Sequence, residues 1–579
     1  MGILYLILFF FTPLLLSTSN SELFELPKMY FVYSMTTIIL FTHLYNYAHA
    51  KVSLFRKTNL TIPLLLFIFS QILSTFFSID RHTSIFGYYS RLNGGLLSTI
   101  SYSLLYFILC IYITPKLQKQ IIKFILISGS LVATWGILEH FGIDKHYWIQ
   151  DVQNRVFSTL GQPNWLAAYL NILIPFSFNS PLAILFFICL IFTKSKSGII
   201  ACLLILPFCF KKSKITYINY FIIICLALSF FLIKKPSTPI PSNFNITAST
   251  DIRKIVWQGA IDLYKQYPIF GTGVETFAYT YYWTRPASHN LTSEWDFLYN
   301  KAHNEYINFL ATTGTFGFLA YTFLLLCTIY LFISKKQFIF LASYLSILIT
   351  NFAGFSVVIT SLFLFLLPAL VLNPISKPKT KPQKWIIFPI LLSTIYILKS
   401  IIFFYFADIA YAKSDYKTAI SLNPYEPIYY SVASLQAAKS NQINLAINYS
   451  NKAITISPAN INILKERAQM FLYLSTKDPS YFKNSIDTLE FITTLAPTDP
   501  KVYYLIGQFL TAANKIDESI PFYQKAIELK SNYDDAYFAL AKIFYTQKKY
   551  DEAKIELKKT LEIAPQNEIA KSLLDQISQ

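Results

Sequence analysis

Charge is what this sequence lacks. Asp, Glu, Lys and Arg make up only 14% of its 579 residues, against 54% hydrophobic residues. A soluble globular chain carries roughly 25% charged residues. The deficit is uneven: charge is scarce up to about Phe406 and ordinary beyond it. A lipid-solvated part is thus followed by a water-solvated part. Cysteine is scarce too. Cys110, Cys189, Cys202, Cys209, Cys225 and Cys327 all fall inside apolar runs. That pattern excludes a disulfide framework or a zinc site and reads as buried thiols. The first apolar run lacks a basic flank and a small-residue cleavage site, so it is read as a membrane span and not as a signal peptide.

A membrane helix needs roughly 20 mostly apolar residues, because in lipid the backbone must satisfy its own hydrogen bonds. Thirteen candidates stand in the sequence: 3–17, 29–49, 60–78, 96–114, 120–141, 164–178, 181–193, 197–210, 216–233, 305–333, 337–354, 356–373 and 384–406. The three between 164 and 210 are short and read equally as broken or re-entrant helices. The fold class expected is all-α: a polytopic bundle of about 12–13 spans over residues 1–406, then a soluble helical domain over 407–579.

The net charge of +18 would suggest nucleic acid in a soluble protein, but here the lysines lie mostly in short loops between apolar runs. With the N-terminus in the cytoplasm, the inner loops hold Lys51, Arg56 and Lys57, then Lys116, Lys119 and Lys123, then Lys211, Lys212 and Lys214. Lys335 and Lys336 follow, and last Lys377, Lys379, Lys381 and Lys384, with no Asp or Glu in any of these loops. The outer loops mix signs, as with Asp80 beside Arg81 and Arg91, or Asp144 beside Lys145 and Arg155. This is the positive-inside pattern, and it expects no nucleic-acid partner. It places the long 234–304 segment and the C-terminal domain outside the cytoplasm.

That domain repeats. Helix-ending turns recur at Pro424, Pro458, Pro497, Ser531 and Pro565, with spacings of 34, 39, 34 and 34 residues. Each follows a similar phrase: "AISLNP", "AITISP", "ITTLAP", "AIELKS", "LEIAP". Small residues recur at packing positions, such as Ala526, Ala536 and Ala553, and an insertion sits near Ser475–Tyr481. The period is that of tetratricopeptide repeats, whose helix pairs stack into an α-solenoid that usually binds a peptide or protein partner. A spacer or self-association surface is the plainer alternative.

Cations gather on the expected outer face in four clusters. They are "GYYSRLNGG" with Arg91, "RVFSTLGQPNWLAAYL" with Arg155 and Asn164, "TKSKSG" with Lys194 and Lys196, and the long loop. The loop carries Arg253 and Lys254, and it re-enters the membrane at "KAHNEYINFLATTGTFG" with His303, Asn304 and Glu305. Gathered cations imply an anionic ligand, and the planar guanidinium matches phosphate oxygens. A lipid-linked diphosphate at the outer leaflet is the natural candidate. An imidazole such as His303 can take a proton from an acceptor hydroxyl at working pH. Each residue also has a plainer reading: Arg91 and Arg155 as interfacial anchors, the lysines as snorkelling side chains, His303 as a structural histidine. No Asp-x-Asp motif and no His/Asp cluster with ligand spacing occurs in the outer loops, so no metal or cofactor is implied.

Taken together these motifs resemble the O-antigen ligase and polymerase family, which includes the related pilin and protein O-oligosaccharyltransferases. The resemblance runs from about Phe76 to Leu372 and rests on "GYYSRLNGG", "RVFSTLGQPNWLAAYL", "TKSKSG", Arg253 to Trp257, "PIFGTG" at 268–273 and "AHNEYINFLATTGTFG" at 302–317. It implies a GT-C-like membrane domain in a bacterial cytoplasmic membrane. The implied reaction is metal-independent and inverting, and moves a glycan from a polyprenyl diphosphate to a glycan, lipid or protein acceptor. The resemblance makes His303 the base and Arg253 a holder of the diphosphate. Lys196 stands where the family has arginine, a departure that keeps the charge and loses the bidentate fork. Arg91 and Arg155 match further family positions. A lipid-linked glycan transporter is the reading from another class. It expects internal symmetry and ionisable residues at mid-membrane, where this chain gathers its charges at one face.

Overall fold

In the computed structural model the described residues are 1–209, 214–232, 247–374 and 382–578. Among them the chain is helical and has no β-strand. The inner-loop lysines Lys211, Lys212, Lys377, Lys379 and Lys381, and the start of the 234–304 loop, lie outside the described residues.

The described residues form two compact units. The first draws on 1–232, 267–276 and 303–424, and the second on 247–266, 277–302 and 425–578. The long loop is therefore shared between them, and the first turns of the C-terminal region stay with the apolar part.

In the first unit every one of the thirteen apolar segments contains a helix. Among the described residues three helices are long and apolar enough to cross a membrane by length and composition: Pro115–His140, Glu305–Ser334 and Lys384–Ala412. Eight further apolar helices are only 10–17 residues long. At ~1.5 Å per residue a 15-residue helix rises ~22 Å, short of the ~30 Å hydrocarbon core. Helix pairs carry the core: Glu305–Ser334 lies along Thr61–Phe76, Phe338–Phe352 along Pro163–Ser177, and Val358–Leu370 along Leu96–Tyr112. Large side chains such as Tyr5, Tyr102, Tyr169, Tyr344 and Phe186 fill the space between them. Of the cysteines, Cys110, Cys189, Cys202 and Cys209 are buried, Cys327 is half-buried and Cys225 is exposed.

The second unit is built from consecutive helix pairs: Pro427–Lys439 with Ile443–Ile456, Ile461–Ser475 with Tyr481–Leu495, Pro500–Ala512 with Ile516–Leu529, and Asp534–Thr546 with Tyr550–Ile563. Glu568–Ser578 closes the series. Proline at the first helical position, preceded by a capping carboxylate, starts two of these pairs at Glu426–Pro427 and Asp499–Pro500. Asn441, Asn514 and Lys548 turn the chain between partners in the left-handed conformation that ends helices. The alanines at 446, 453, 526, 536 and 553 are fully buried, which lets the helices approach closely. The 39-residue repeat holds its insertion in longer helices, Ile461–Ser475 and Tyr481–Leu495, and in the longer turn between them.

Candidate functional site

Helix starts build the site in the first unit. Gln162 caps Pro163–Ser177, its Oε1 accepting from the backbone N–H groups of Asn164 (3.0 Å) and Trp165 (3.2 Å). Ser195 caps Lys196–Ile205 by accepting from the Gly198 N–H at 3.2 Å. Asn304 caps Glu305–Ser334, accepting from Tyr306 (3.0 Å) and Ile307 (3.1 Å). Thr360 closes the start of Val358–Leu370 by accepting from the Val357 N–H at 2.8 Å. Asn164, Trp165, Ser197, His303, Val357 and Thr360, all in or next to these first turns, line one cavity together with Phe355. Four helix N-termini thus border it, and the partial positive charge at each favours an anion, while the C-terminal end of Phe338–Phe352, at Thr350 and Asn351, forms another wall. The cavity is about 30 Å³, room for one or two waters. A larger group enters only when its walls move.

His303 reaches this cavity because its backbone is left-handed, with φ at +52°. For a residue with a Cβ that is an uncommon conformation, and such strain gathers at functional sites. Its ring lies 5.5 Å from that of Phe355. The Arg91 guanidinium lies over the same Phe355 ring at 4.8 Å and over Trp165 at 5.1 Å. Its Nη1 is buried and makes no hydrogen bond among the described residues. Burial lowers the pKa of Arg91, opposed by the carboxylates of Glu25, Glu275 and Glu22. The loop behind Arg91 is pinned. Tyr33 Oη donates to the Leu92 carbonyl at 2.9 Å, and Tyr102 Oη donates to Asn93 Oδ1 at 2.9 Å.

Arg155 stands at the rim. Its Nε donates to the Thr193 carbonyl at 3.1 Å and its Nη2 to Asn164 Oδ1 at 3.5 Å. Partial burial lowers its pKa. Asn304 and Glu305 are buried in the helix start. Lys196 is exposed, and its neighbour Ser197 is the residue that lines the cavity. Lys194 turns away and bonds Asn154 Oδ1. His303, Arg91, Arg155 and Asn164 are therefore gathered, while Lys196 stays at the surface. Sequence reasoning missed Trp165, Ser197, Phe355 and Thr360. Trp165 and Ser197 sit inside quoted motifs, so proximity to a cation was the available signal. Phe355 lies in a turn between two apolar runs and carried none.

"PIFGTG" and "TTGTFG" meet in the same unit. Gly273 N donates to the Thr312 carbonyl (2.9 Å), Thr315 N to Pro268 (2.8 Å), and Phe316 N to Ile269 (3.2 Å). Gly314, inside the helix that begins at Glu305, has φ 65° and ψ −170°. A Cβ there would strike the Ile269 carbonyl, and one at Gly271 would strike Thr312.

Arg253 belongs to the second unit, as the fifth residue of the helix Ser249–Gln266. Burial lowers its pKa, with Glu294 and Tyr299 opposing. Trp257 Nε1 donates to the Ala302 carbonyl at 3.0 Å, and Thr284 Oγ1 to Gly259 at 2.8 Å, so the helix rests on residues 277–302.

Comparison with known proteins agrees with these motifs. The family model described as O-antigen ligase matches residues 181–322, and a tetratricopeptide-repeat model matches 510–577. No curated protein matches the chain. Among solved structures, similar ones include a thermophilic TPR protein of Thermus thermophilus, with 16% identity over 31% of this chain and 98% of that one and a TM-score of 0.24. MamA shows 19% identity over 28% and 94%, with a TM-score of 0.24. Pseudomonas aeruginosa pilF shows 16% over 29% and 74%, with a TM-score of 0.24. The chain thus carries a stretch, 181–322, that is similar to the O-antigen ligase family, and a C-terminal stretch, 510–577, that is similar to tetratricopeptide repeats.

Proposed function

We propose that this chain is a polytopic membrane glycosyltransferase that transfers a glycan from a polyprenyl diphosphate to an acceptor on the outer side of a bacterial cytoplasmic membrane. Its thirteen apolar helical segments, N-terminus inside, form residues 1–406, and the repeats of 407–579 lie outside with the 234–304 loop. The supporting observation is the cavity where four helix N-termini meet beside His303 and Arg91, whose buried Nη1 has no hydrogen-bond partner among the described residues. A diphosphate oxygen satisfies that donor and the helix dipoles together.

His303 takes the proton from the acceptor hydroxyl. The oxygen attacks the anomeric carbon, the bond from that carbon to the phosphate oxygen breaks, and the configuration inverts. Arg91 and Arg155 carry the charge that develops on the leaving diphosphate. Asn164 orients Arg155, and Asn304 and Glu305 hold the helix start that presents His303. Arg253 and Lys196 are assigned to the diphosphate on the family likeness, and Lys196, exposed and without a bidentate fork, contributes charge alone. No step uses a metal or other cofactor in this reading.

The test is transfer from a radiolabelled polyprenyl-diphosphate oligosaccharide by the purified protein, with and without a chelator. Transfer should survive chelation and be lost in His303→Ala. Normal transfer by properly inserted His303→Ala sinks the reading. The productive acceptor, a growing glycan against a lipid or a protein, separates polymerase from ligase.

A further inference from the structure

The second unit contains more than repeats. Residues 277–302 are seated on the helix pairs through buried polar contacts. Asn290 Nδ2 donates to the carbonyls of Thr498 (2.8 Å) and Leu529 (3.1 Å), and Lys530 Nζ donates back to the Asn290 carbonyl at 3.2 Å. Thr498 Oγ1 donates to the Arg285 carbonyl at 2.7 Å. Trp295 lies against the Tyr533 ring at 5.4 Å, with the Lys530 ammonium 4.6 Å and the Lys501 ammonium 5.4 Å from its ring. Lys501 also pairs with Asp296. Tyr282 packs into the cluster of Leu464, Leu489 and Ile506. Asn290 is fully buried and its side-chain amide bridges two turns of the repeats, those before Pro500–Ala512 and Asp534–Thr546. A bridge of this kind is costly to break, because each freed carbonyl loses its partner away from water.

The same segment holds the helix of Arg253. Besides the bonds from Trp257 to Ala302 and from Thr284 to Gly259, Thr247 and Ser293 exchange hydrogen bonds at 3.2 and 3.0 Å. Gly259 has no room for a Cβ, which would lie 2.7 Å from Tyr281 and 3.0 Å from Pro286. Contacts run unbroken from the repeats through 277–302 to Ser249–Gln266.

We propose that the repeats take this chain's own segment 277–302 as their occupant and so act as a brace, with Asn290, Trp295 and Lys530 as positioning residues for Arg253. The consequence for catalysis rests on the assignment of Arg253 to the diphosphate made above. The brace itself rests only on the contacts. The repeats are then part of the transferase and not an appendage that waits for a partner.

Hydrogen exchange on the full-length protein in detergent tests this. Asn290→Ala should speed exchange across 249–266 and 277–302 by about thirtyfold, the effect of losing two buried hydrogen bonds. Helices 427–456 should stay as protected as in wild type, which reports that the repeats remain folded. The charge reversals Asp296→Lys and Lys501→Asp should each loosen the segment, and their combination should restore it. With a fluorescent polyprenyl-diphosphate oligosaccharide as donor, the donor KM should rise in Asn290→Ala while the acceptor KM holds, and Lys530→Arg should retain more transfer than Lys530→Ala. Wild-type protection of 249–266 in Asn290→Ala overturns the brace. An unmoved donor KM despite lost protection overturns the positioning role. Full transfer by Arg253→Ala overturns the diphosphate assignment instead, and leaves the brace to be judged by exchange.

Discussion

Replacing Gly314 by alanine should release the "PIFGTG" segment from the helix Glu305–Ser334, which starts two residues after His303. Gly314 sits at φ 65°, ψ −170°, a region open in practice only to glycine. Forcing a Cβ residue there costs about 1–3 kcal/mol in backbone strain. The new Cβ also meets the Ile269 carbonyl and the Gly271 backbone, neither of which is a flexible side-chain end. The backbone must therefore separate, and the two bonds nearest the contact, Thr315 to Pro268 and Phe316 to Ile269, open with it. At ~1 kcal/mol each, the total is about 3–5 kcal/mol, which corresponds to a ~100-fold or greater rise in local opening. Amide exchange at Gly273, Thr315 and Phe316 reads this directly, since each N–H is held in that contact. Exchange at those three sites should accelerate by about two orders of magnitude, with Phe338–Phe352 unaffected. Equal exchange in Gly314→Ala and wild type would refute the close-approach reasoning, and Gly271→Ala, which strikes Thr312 from the other side, should behave alike.

Arg91→Lys keeps the charge but loses the flat group stacked on Trp165 and Phe355, so kcat/KM should fall about tenfold, consistent with ~1–2 kcal/mol for a desolvated cation–π contact. Unchanged kinetics would remove Arg91 from the site. Asp408 is buried and accepts from Asn20 Nδ2 (2.8 Å), Ser21 N (2.9 Å), Ser21 Oγ (2.5 Å) and Tyr89 Oη, joining the helix Ile387–Ala412 to the turns at 17–24 and 87–95. Asp408→Asn turns one acceptor into a donor and should cost about 2–4 kcal/mol, read as faster exchange over 17–24 and 87–95. Persistent protection there would show the cluster to be dispensable. His289 is buried against Tyr281 and Tyr299, and burial, with the Arg285 charge beside it, pushes its pKa down to about 4. Between about pH 6.5 and 4 the unfolded imidazole binds a proton that the folded one refuses. Stability is complete above that window and is lost as pH falls through it, by up to ~3 kcal/mol. The protection factors of segment 277–302, with the intrinsic pH dependence of exchange divided out, should accordingly be lower at pH 5 than at pH 7, and equal protection factors would contradict the burial of a neutral His289.

The helical class was legible in composition and periodicity. Long apolar runs with few charges, and a 34-residue period with alanine at the contact positions, each leave few alternatives for the backbone. Helix starts were legible to within about a residue, since the apolar runs beginning at 164, 197 and 305 meet helices that begin at Pro163, Lys196 and Glu305; the caps Gln162, Ser195 and Asn304 came only with the structure. Of the cations chosen from sequence, Arg91, Arg155 and His303 come to or beside one cavity, while Lys196 stays exposed. The difference is one of direction. A position in the first turn is set locally, but whether the side chain or its neighbour faces the cavity depends on how the helix is rotated against its partners. Lys196 and Ser197 differ by one position, about 100° around the helix axis.

By itself, the sequence determined which segments are helical, where the repeats turn, and that cations gather in the loops between apolar runs. All of these follow from local pattern and from solvent. Tertiary structure alone decided that Phe355, from a turn with no chemical signature, lies against both Arg91 and His303. It also decided that residues 277–302 belong with the repeats and not with the apolar helices. The reason is physical. Such choices depend on pairing groups more than 200 residues apart, as Asn290 pairs with Thr498, and no local propensity encodes a partner at that distance.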